Sequence, residues 1–366
     1  MSQTSKLNLR AQAGQTMILG FDGVEMSARL RRMLQTIQPA GVILFARNIR
    51  EPRQTWDLLR ECQRCVAARM FLCVDMEGGT VDRLRDVVAP APSVAEVAAS
   101  KNRKLFRQHG HIVGQECRAL GFNTDFAPVL DLAFEPSRTV LTSRTASSDP
   151  VKAVGYAREF LRGLRDAGVL GCGKHFPGLG EAELDTHHKL AIIKKPWKRL
   201  WEEDLYPYCA LHRQMPFIMV AHAAYSAVTL HDEPASVSRK WISGILRKRI
   251  GYHGLIVSDD LEMGGVQAAL SIGDAAVATL KAGVDLFLVC HSEAAVWECY
   301  EKVVQTAERT RHFAARVTGA ASHVLAMKKR HLQSCPSGRP PSLAVIERLR
   351  RGLWELSEGM RLARLC

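Results

Sequence analysis

The chain has 366 residues, of which 47% are hydrophobic and 24% are charged. These proportions are ordinary for a soluble globular protein and exclude a disordered or collagen-like chain. Lysine and arginine number 50 against 37 aspartates and glutamates, so the formal net charge is +13. No apolar run approaches the roughly 18 residues that cross a membrane, and the first fifteen residues lack the apolar core of a secretory signal. We therefore expect a cytoplasmic protein without a membrane partner.

Short apolar segments alternate with amphipathic segments along most of the chain. The apolar segments lie at 16–21, 41–46, 70–75, 123–129, 169–176, 217–222, 254–259 and 284–290. Continuous apolar strands are typical of a parallel sheet that is buried on both faces. Eight of them alternating with helices predict an α/β fold, a single (β/α)8 TIM barrel. A doubly wound sheet is the weaker alternative, because no GxGxxG motif opens the first βα unit.

The last part of the chain has a helical pattern on either side of a proline-rich break. Residues 292–333 are predicted to be helical, and the break at 334–342 contains three prolines. A basic amphipathic helix is expected from about 343 to 365. The sequence leaves open whether this helix packs on the barrel or stands free of it.

These segments divide the chain into an N-terminal extension (1–15), a catalytic barrel (16–333), and the break with its C-terminal helical extension (334–366). The positive charge is uneven, since residues 321–366 hold nine lysines and arginines against three glutamates. Solvated charge on helix faces is the usual reason for such an excess. Because no nucleic-acid-binding module is recognisable, no nucleic acid partner is expected. A polyanion-binding role for the basic end remains an alternative.

The predicted strands end in an unusual number of ionisable residues. In chain order they are Asp75, Asp125 with Asp131 just beyond, Lys174 with His175, His222, and Asp259 with Asp260. Barrels of this kind build their active sites at the carboxyl ends of the strands. Charged groups there cost free energy unless they are paired or used. The sequence therefore predicts a catalytic cluster at this end of the barrel.

Missing motifs exclude several kinds of chemistry. The HxH and HExxH spacings of metal sites are absent, and the adjacent His187 and His188 would point apart in extended chain. There is neither a GxSxG nucleophile motif nor a glycine-rich phosphate loop. We expect no metal and no cofactor. Carboxylates together with lysine, arginine and histidine suit a polar, neutral ligand such as a sugar.

Four segments resemble motifs of glycoside hydrolase family three. KHFPGLG at 174–180, with Asp-Thr-His at 185–187, is similar to the family's KHFPGHG…D[ST]H. VDMEGG at 74–79 resembles VDxEGGRVxR, and the segments 125–131 and 257–263 resemble two further motifs. The resemblance runs from about residue 16 to 295 and is to the bacterial β-N-acetylglucosaminidases of peptidoglycan recycling.

The chain departs from the family pattern in three ways. Leu179 replaces the second histidine of KHFPGHG, Thr80 replaces the arginine of EGGR, and the loop from Lys174 to Asp185 is one residue short. Leu179 removes a polar group beside that loop. None of the three departures removes a group to which the resemblance assigns catalysis.

The resemblance implies the catalytic groups. Asp259 would be the nucleophile that forms a covalent glycosyl-enzyme, with a helix N-cap as its alternative role. His187, with Asp185, would be the acid/base pair, because an imidazole can donate and accept a proton near neutrality. Asp260 and Glu262 are expected in the first turn of the next helix, where they complement its dipole.

Six further residues match substrate-binding positions of the family. They are Asp75, Arg83, Arg144, Lys174, His175 and His222. The resemblance implies that Lys174 and His175 bind the sugar at the barrel floor and that Asp75 grips its hydroxyls. Arg83 and Arg144 are expected either to hold hydroxyls or to buttress Asp75.

The implied activity is that of a retaining exo-β-N-acetylglucosaminidase acting as a monomer on GlcNAc-containing muropeptides, such as GlcNAc-1,6-anhydroMurNAc peptides. Phosphorolysis is an alternative, because a histidine acid/base tolerates an incoming phosphate better than a carboxylate does. Another family-three β-glycosidase activity and a catalytically silent, sugar-binding relative also stay open.

Overall fold

The computed structural model describes residues 7–184, 189–229, 232–267, 270–332 and 339–365. Its strands are β1 (Met17–Leu19), β2 (Gly41–Ile43), β3 (Phe71–Val74), β4 (Met76–Gly78), β5 (Val81–Asp82), β6 (Thr124–Asp125), β7 (Leu170–Phe176), β8 (Ala191–Ile192), β9 (Phe217–Val220), β10 (Ala223–Ala224), β11 (Leu255–Asp260) and β12 (Leu286–Val289). Eight of them close into a parallel barrel in the order β1-β12-β11-β9-β7-β6-β3-β2. Each predicted apolar segment contributes one barrel strand, so the TIM-barrel prediction is confirmed.

The helices lie mostly between the barrel strands, as the alternation predicts. They are α1 (Leu9–Gly14), α2 (Ala28–Ile37), α3 (Pro52–Arg64), α4 (Val94–Ala99), α5 (Arg103–Leu120), α6 (Arg138–Leu141), α7 (Pro150–Asp166), α8 (Trp197–Glu202), α9 (Tyr206–Leu211), α10 (Ser226–Thr229), α11 (Gly264–Gln267), α12 (Ile272–Ala282), α13 (Glu293–Arg309), α14 (Arg311–His331) and α15 (Leu343–Ala363). A π-helix spans Lys240–Arg249, and 3-10 turns cover Ala46–Asn48, Glu135–Ser137, Thr142–Arg144 and Ala235–Val237. None of the helices in the described ranges could span a membrane.

The four strands outside the barrel form two small sheets at its carboxyl end. β4 and β5 make an antiparallel hairpin directly after β3, and β8 pairs with β10 in parallel. The hairpin needs glycine at its turn, because Gly78 has a φ of +86° and a Cβ there would lie 2.1 Å from the Pro92 carbonyl oxygen. These sheets shape the loops above the barrel.

Aromatic rings fill the interior of the barrel. The rings of Phe71 and Phe217 meet edge to face with centroids 5.0 Å apart, and Phe126 packs on Phe217 in the same way. Helix α14 closes the amino end, where the Lys328 ammonium donates to the Gln15 Oε1 over 2.7 Å and lies 5.4 Å from the Phe71 ring centroid. Burial lowers the pKa of this lysine to about 7. The barrel is thus a packed core with a sealed floor.

Two features of the last part of the chain were not fixed by its sequence. The predicted helical stretch 292–333 is two helices, since Thr310 has extended backbone angles between α13 and α14. Helix α15 packs on α5, burying Leu353 and Leu356. Gly352 approaches α5 so closely that a Cβ would lie 2.7 Å from the Ile112 Cδ1. The basic C-terminal helix is therefore docked on the barrel.

We expect Leu356→Ala to lower the free energy of unfolding by about 2–5 kcal/mol, because it leaves a cavity under a docked helix. Leu356 is fully buried, whereas Trp354 on the same helix is 64% exposed. Trp354→Ala is the matched control and should change stability by no more than about 0.5 kcal/mol. Urea denaturation of both variants measures the difference, and equal effects would contradict the docking of α15.

Candidate active site

A cavity of about 140 Å³ lies at the carboxyl end of the barrel and brings together most of the predicted site residues. Its walls include Asp75, Arg83, Arg144, Lys174, His175 and Asp259. Four larger cavities, of about 580 to 820 Å³, lie elsewhere, and none of the six residues lines them. The concentration of charge, rather than size, identifies the small cavity as the candidate site.

Lys174 lies at the centre of the charges in this cavity. Its Nζ is 2.8 Å from the Asp75 Oδ1 and 2.7 Å from the Glu77 Oε1, and its side chain is 3% exposed. Burial works against the ammonium charge, but the two carboxylates outweigh it and raise the pKa of Lys174 above its ordinary value. The lysine is therefore charged within the site.

Glu77 forms a second ion pair behind the first. Arg144 binds its carboxylate with both prongs of the guanidinium, Nε to Oε2 at 2.8 Å and Nη2 to Oε1 at 2.9 Å. Although burial raises the pKa of Glu77, Arg144 and Lys174 together hold it below the ordinary value. Arg144 was expected either to hold hydroxyls or to buttress Asp75. It lines the cavity, and its ion pair is with Glu77 rather than with Asp75. Sequence reasoning assigned Glu77 no role, although the VDMEGG motif contains it.

His175 is oriented by Asp131, which is fully buried. The His175 Nδ1 lies 2.7 Å from the Asp131 Oδ2, and the Oδ1 of the same carboxylate accepts from the backbone N–H of Leu179 over 2.8 Å. This contact makes Nδ1 the protonated ring nitrogen and leaves Nε2 to meet a ligand. Asp131 was noted at a strand end, but its positioning role follows only from the fold.

Asp259 lies at the end of β11, half-buried, with its carboxylate at the cavity wall. Its Oδ1 accepts from the backbone N–H of Asp260 over 2.9 Å. The next helix, α11, begins only at Gly264, so Asp259 is not its N-cap. The structure thus places this residue at the cavity wall rather than at a helix end.

Asp260 and Glu262 are not in the first turn of a helix, so that expectation was wrong. Asp260 is the last residue of β11, and its Oδ1 accepts from the backbone N–H groups of Glu262 and Cys290. Burial, then the charges of Glu262 and Asp259, raise the pKa of Asp260 to about 7. The carboxylate of Glu262 accepts from the backbone N–H groups of His291 and Ser292, at the start of α13.

His222 does not line the cavity, which corrects its expected role in binding substrate. The ring is fully buried behind β11, with Nδ1 2.7 Å from the Ser236 Oγ and Nε2 3.0 Å from the carbonyl oxygen of Asp260. An Nε2–H that donates to this carbonyl fixes the backbone next to Asp259. His222 is therefore a positioning residue.

An aromatic wall closes the side of the cavity between β12 and β2. The rings of Phe45 and His291 are stacked with centroids 5.6 Å apart, and the Arg83 guanidinium lies 5.7 Å from the Phe45 centroid. Within the described ranges, the buried Arg83 Nε has no hydrogen-bond partner. Because an unsatisfied buried donor costs free energy, a ligand oxygen would gain from this site. Phe45 and His291 were missed, although Phe45 lies near the end of the predicted strand segment 41–46 and His291 directly follows the segment 284–290.

Comparison with known proteins identifies the family. Residues 8–327 match the glycosyl hydrolase family 3 N terminal domain. The chain belongs to this family. A β-hexosaminidase of Pseudomonas aeruginosa is 37% identical over 283 residues, 76% of this chain and 83% of the relative. A β-hexosaminidase of Thiobacillus denitrificans is 34% identical over 319 residues, 85% of this chain and 88% of that protein.

Solved structures of family 3 enzymes superpose closely on the chain. A family 3 β-N-acetylglucosaminidase from Paenibacillus sp. str. FPU-7 does so with a TM-score of 0.90 at 31% identity, over 97% of this chain and 69% of that one. A β-glucoside phosphorylase superposes with a TM-score of 0.84 at 21% identity, which shows a shared fold alone. As a family 3 member with these relatives, the protein is a glycoside hydrolase.

The family's acid/base positions, Asp185 and His187, lie outside the described residues. Of the departures from the family pattern, Leu179 packs its side chain into the core, 4% exposed, and donates its backbone N–H to Asp131. Thr80 is exposed at the hairpin turn and does not line the cavity. In the described part of the chain, no three His, Cys, Asp or Glu side chains are grouped to hold a metal ion.

Glu77→Gln should lower the free energy of unfolding by about 3–5 kcal/mol, because it leaves two buried cations short of a carboxylate. The control is Glu135→Gln, since the Glu135–Arg138 pair is 82% and 77% exposed and is worth at most about 1 kcal/mol. Chemical denaturation of both variants tests the ranking. A loss for Glu77→Gln no larger than for the control would contradict the role of this carboxylate.

Asp260→Asn should change how stability depends on pH. Because the pKa of Asp260 is raised to about 7, the folded protein holds a proton that the unfolded chain releases near about pH 4. Stability from this carboxyl therefore falls as pH rises through that window. The Tm of Asp260→Asn relative to the parent should climb between about pH 4 and 7, then level off. A difference that is the same at every pH would refute the shift.

Proposed function

We propose that the chain is a β-N-acetylhexosaminidase, and more narrowly a retaining exo-β-N-acetylglucosaminidase. The observation that carries the proposal is a cavity lined by Asp259 together with Lys174, Asp75 and His175. The relatives named β-hexosaminidase, at 37% identity, support the same activity. The cavity lies at the carboxyl end of the barrel strands, where enzymes of this fold bind their substrates.

Charged hydrogen-bond partners surround the proposed position of the sugar ring. We expect Asp75 and His175 Nε2 to bind hydroxyls, and Arg83 to donate from its buried Nε, which has no hydrogen-bond partner among the described residues. Hydrogen bonds in which one partner is charged are roughly twice as strong as neutral ones. Because Lys174 and Asp131 already fix these groups, little ordering is needed when the sugar binds.

The reaction proceeds in two displacements at the anomeric carbon. One oxygen of Asp259 bonds to C1 while the glycosidic C–O bond breaks, and His187 gives its proton to the departing oxygen. Water then attacks C1, His187 removes a proton from it, and the Asp259–C1 bond breaks. Asp185 orients His187 and favours its protonated form before the first step.

The substrates we propose are muropeptide fragments with a non-reducing terminal GlcNAc. The motifs at 74–79 and 174–180 support this class, since they resemble those of peptidoglycan-recycling enzymes. The cavity binds the GlcNAc, and the remainder of the fragment is the leaving group.

The test uses 4-nitrophenyl β-glycosides of GlcNAc and of glucose with the full chain. The parent should prefer GlcNAc, and Asp259→Asn should lower kcat/KM by at least about 10³-fold, because no covalent intermediate forms. The control is Glu262→Gln, which changes a carboxylate three residues after Asp259 that takes no part in the proposed chemistry. It should keep most of the activity. The stereochemistry of the first product, followed by NMR, should show retention.

Four outcomes would overturn parts of the proposal. Inversion would exclude the glycosyl-enzyme, and full activity of Asp259→Asn would exclude its nucleophile. Sugar phosphate formed in the presence of inorganic phosphate would replace hydrolysis by phosphorolysis. Binding of GlcNAc without turnover of either glycoside would identify a silent sugar-binding relative.

A further inference from the structure

A second buried lysine lies outside the cavity, in a cluster that the proposed reaction does not use. The side chain of Lys195 is fully buried, and its Nζ lies 2.5 Å from carboxylate oxygens of both Glu203 and Asp204 and 3.3 Å from the Glu181 Oε1. The same ammonium lies 4.2 Å from the centroid of the Phe134 ring. A buried charge with this many partners fixes the positions of the segments that supply them.

The electrostatics of the cluster keep Lys195 charged. Burial opposes the charge, but Asp204, Glu203 and Glu181 outweigh it and raise the pKa of the ammonium. Arg199 adds a second cation, 3.4 Å from Glu181 and 3.2 Å from Glu203. The carboxylates are therefore shared between two cations, one buried and one exposed.

The residues of the cluster lie on both sides of the proposed acid/base residues in the sequence. Glu181 lies four residues before Asp185, and Lys195 lies eight residues after His187. Their ion pair thus joins the two ends of the segment that carries the proposed acid/base pair. Glu203 and Asp204, which follow α8, hold Lys195 to the body of the barrel.

Other contacts fix the chain on both sides of this segment. Before it, the Tyr225 hydroxyl donates to the carbonyl oxygen of Gly178 over 2.7 Å, and Gly178 packs on Asp204 so closely that a Cβ would meet the Asp204 Cβ at 2.7 Å. After it, β8 pairs with β10, and the backbone N–H of Ile193 donates to the carbonyl oxygen of Ala224. The Glu181–Lys195 pair ties these two anchored ends to each other.

We propose that Lys195 is a positioning residue for general acid catalysis, and that its pairing with Glu181 sets the base of the acid/base segment. The inference rests on the proposed function, in which His187 protonates the leaving group. A proton donor must lie within hydrogen-bond reach of the departing oxygen, so a shift of an ångström at the base of its segment is costly.

The test compares the effect of leaving-group quality on kcat/KM, which reports formation of the glycosyl-enzyme. The dinitrophenolate of the 2,4-dinitrophenyl glycoside of GlcNAc leaves without being protonated. The methoxy group of the methyl glycoside must receive a proton to leave. Lys195→Met and Glu181→Gln should lower kcat/KM for the methyl glycoside by about tenfold or more, and change it less than about threefold for the dinitrophenyl glycoside. Glu181→Gln keeps two carboxylates on the lysine, so it tests the pair without stranding a buried charge.

Lys328→Met is the matched control, because it removes another buried lysine, at the far end of the barrel. It should lower stability without changing the ratio between the two substrates. The double variant Lys195→Met/Glu181→Gln should lose no more on the methyl glycoside than the worse single variant, since both act through one contact.

His187→Ala is measured first, because it tests the proposed function separately from the positioning role of Lys195. Loss confined to the methyl glycoside supports His187 as the acid, whereas equal loss on both glycosides overturns the proposed function and the inference with it. If His187→Ala loses activity on the methyl glycoside alone, the two positioning variants decide the inference. Equal losses on both substrates in Glu181→Gln and Lys195→Met, or no loss at all, would then overturn the positioning role alone.

Discussion

The ammonium of Lys174, shared between Asp75 and Glu77, is the interaction on which the site depends. It lies where β3 and β7, two strands separated by β6 in the barrel, end around one cavity. A lone charge at this depth would cost several kcal/mol. Two carboxylates balance the charge of the lysine, and Arg144 pairs with Glu77. Charged groups can therefore line a cavity whose walls otherwise come from a packed core.

This balance also separates roles among the ionisable groups. Glu77 and Asp131 are buried and bound by protein groups, so they hold Lys174, Arg144 and His175 in place. Asp75 and Asp259 reach the cavity, and the buried Arg83 Nε there has no hydrogen-bond partner within the described ranges. The site thus consists of a fixed layer beneath a reactive one, which is the arrangement that preorganised catalysis requires.

The sequence predicted the barrel well because its evidence is local: each strand is a short apolar run, and several ionisable residues lie at or near the ends of such runs. Of the residues it proposed for the site, Asp75, Arg83, Arg144, Lys174, His175 and Asp259 line the cavity. His222 does not, and Glu77, Phe45 and His291 were not foreseen. The misassignments concern partners. Which carboxylate Arg144 meets depends on the β4–β5 hairpin, and whether His222 faces the cavity depends on how β9 and β11 are arranged. Such partners depend on three-dimensional neighbours, and neither spacing nor periodicity records them.

The sealed floor of the barrel has a consequence for the order of events. Phe71 and Phe217 fill the interior and α14 covers the amino end, so the described residues leave no passage from the cavity through the barrel to its amino end. The end of the substrate that enters the cavity first should therefore leave it last. In the proposed reaction, the aglycone would therefore depart on the carboxyl side of the barrel while the sugar stays below it, and the sugar would depart on the same side afterwards. Free sugar should therefore compete with substrate for the unoccupied cavity. A fragment whose terminal sugar is blocked should not bind, because its sugar end must enter the cavity first.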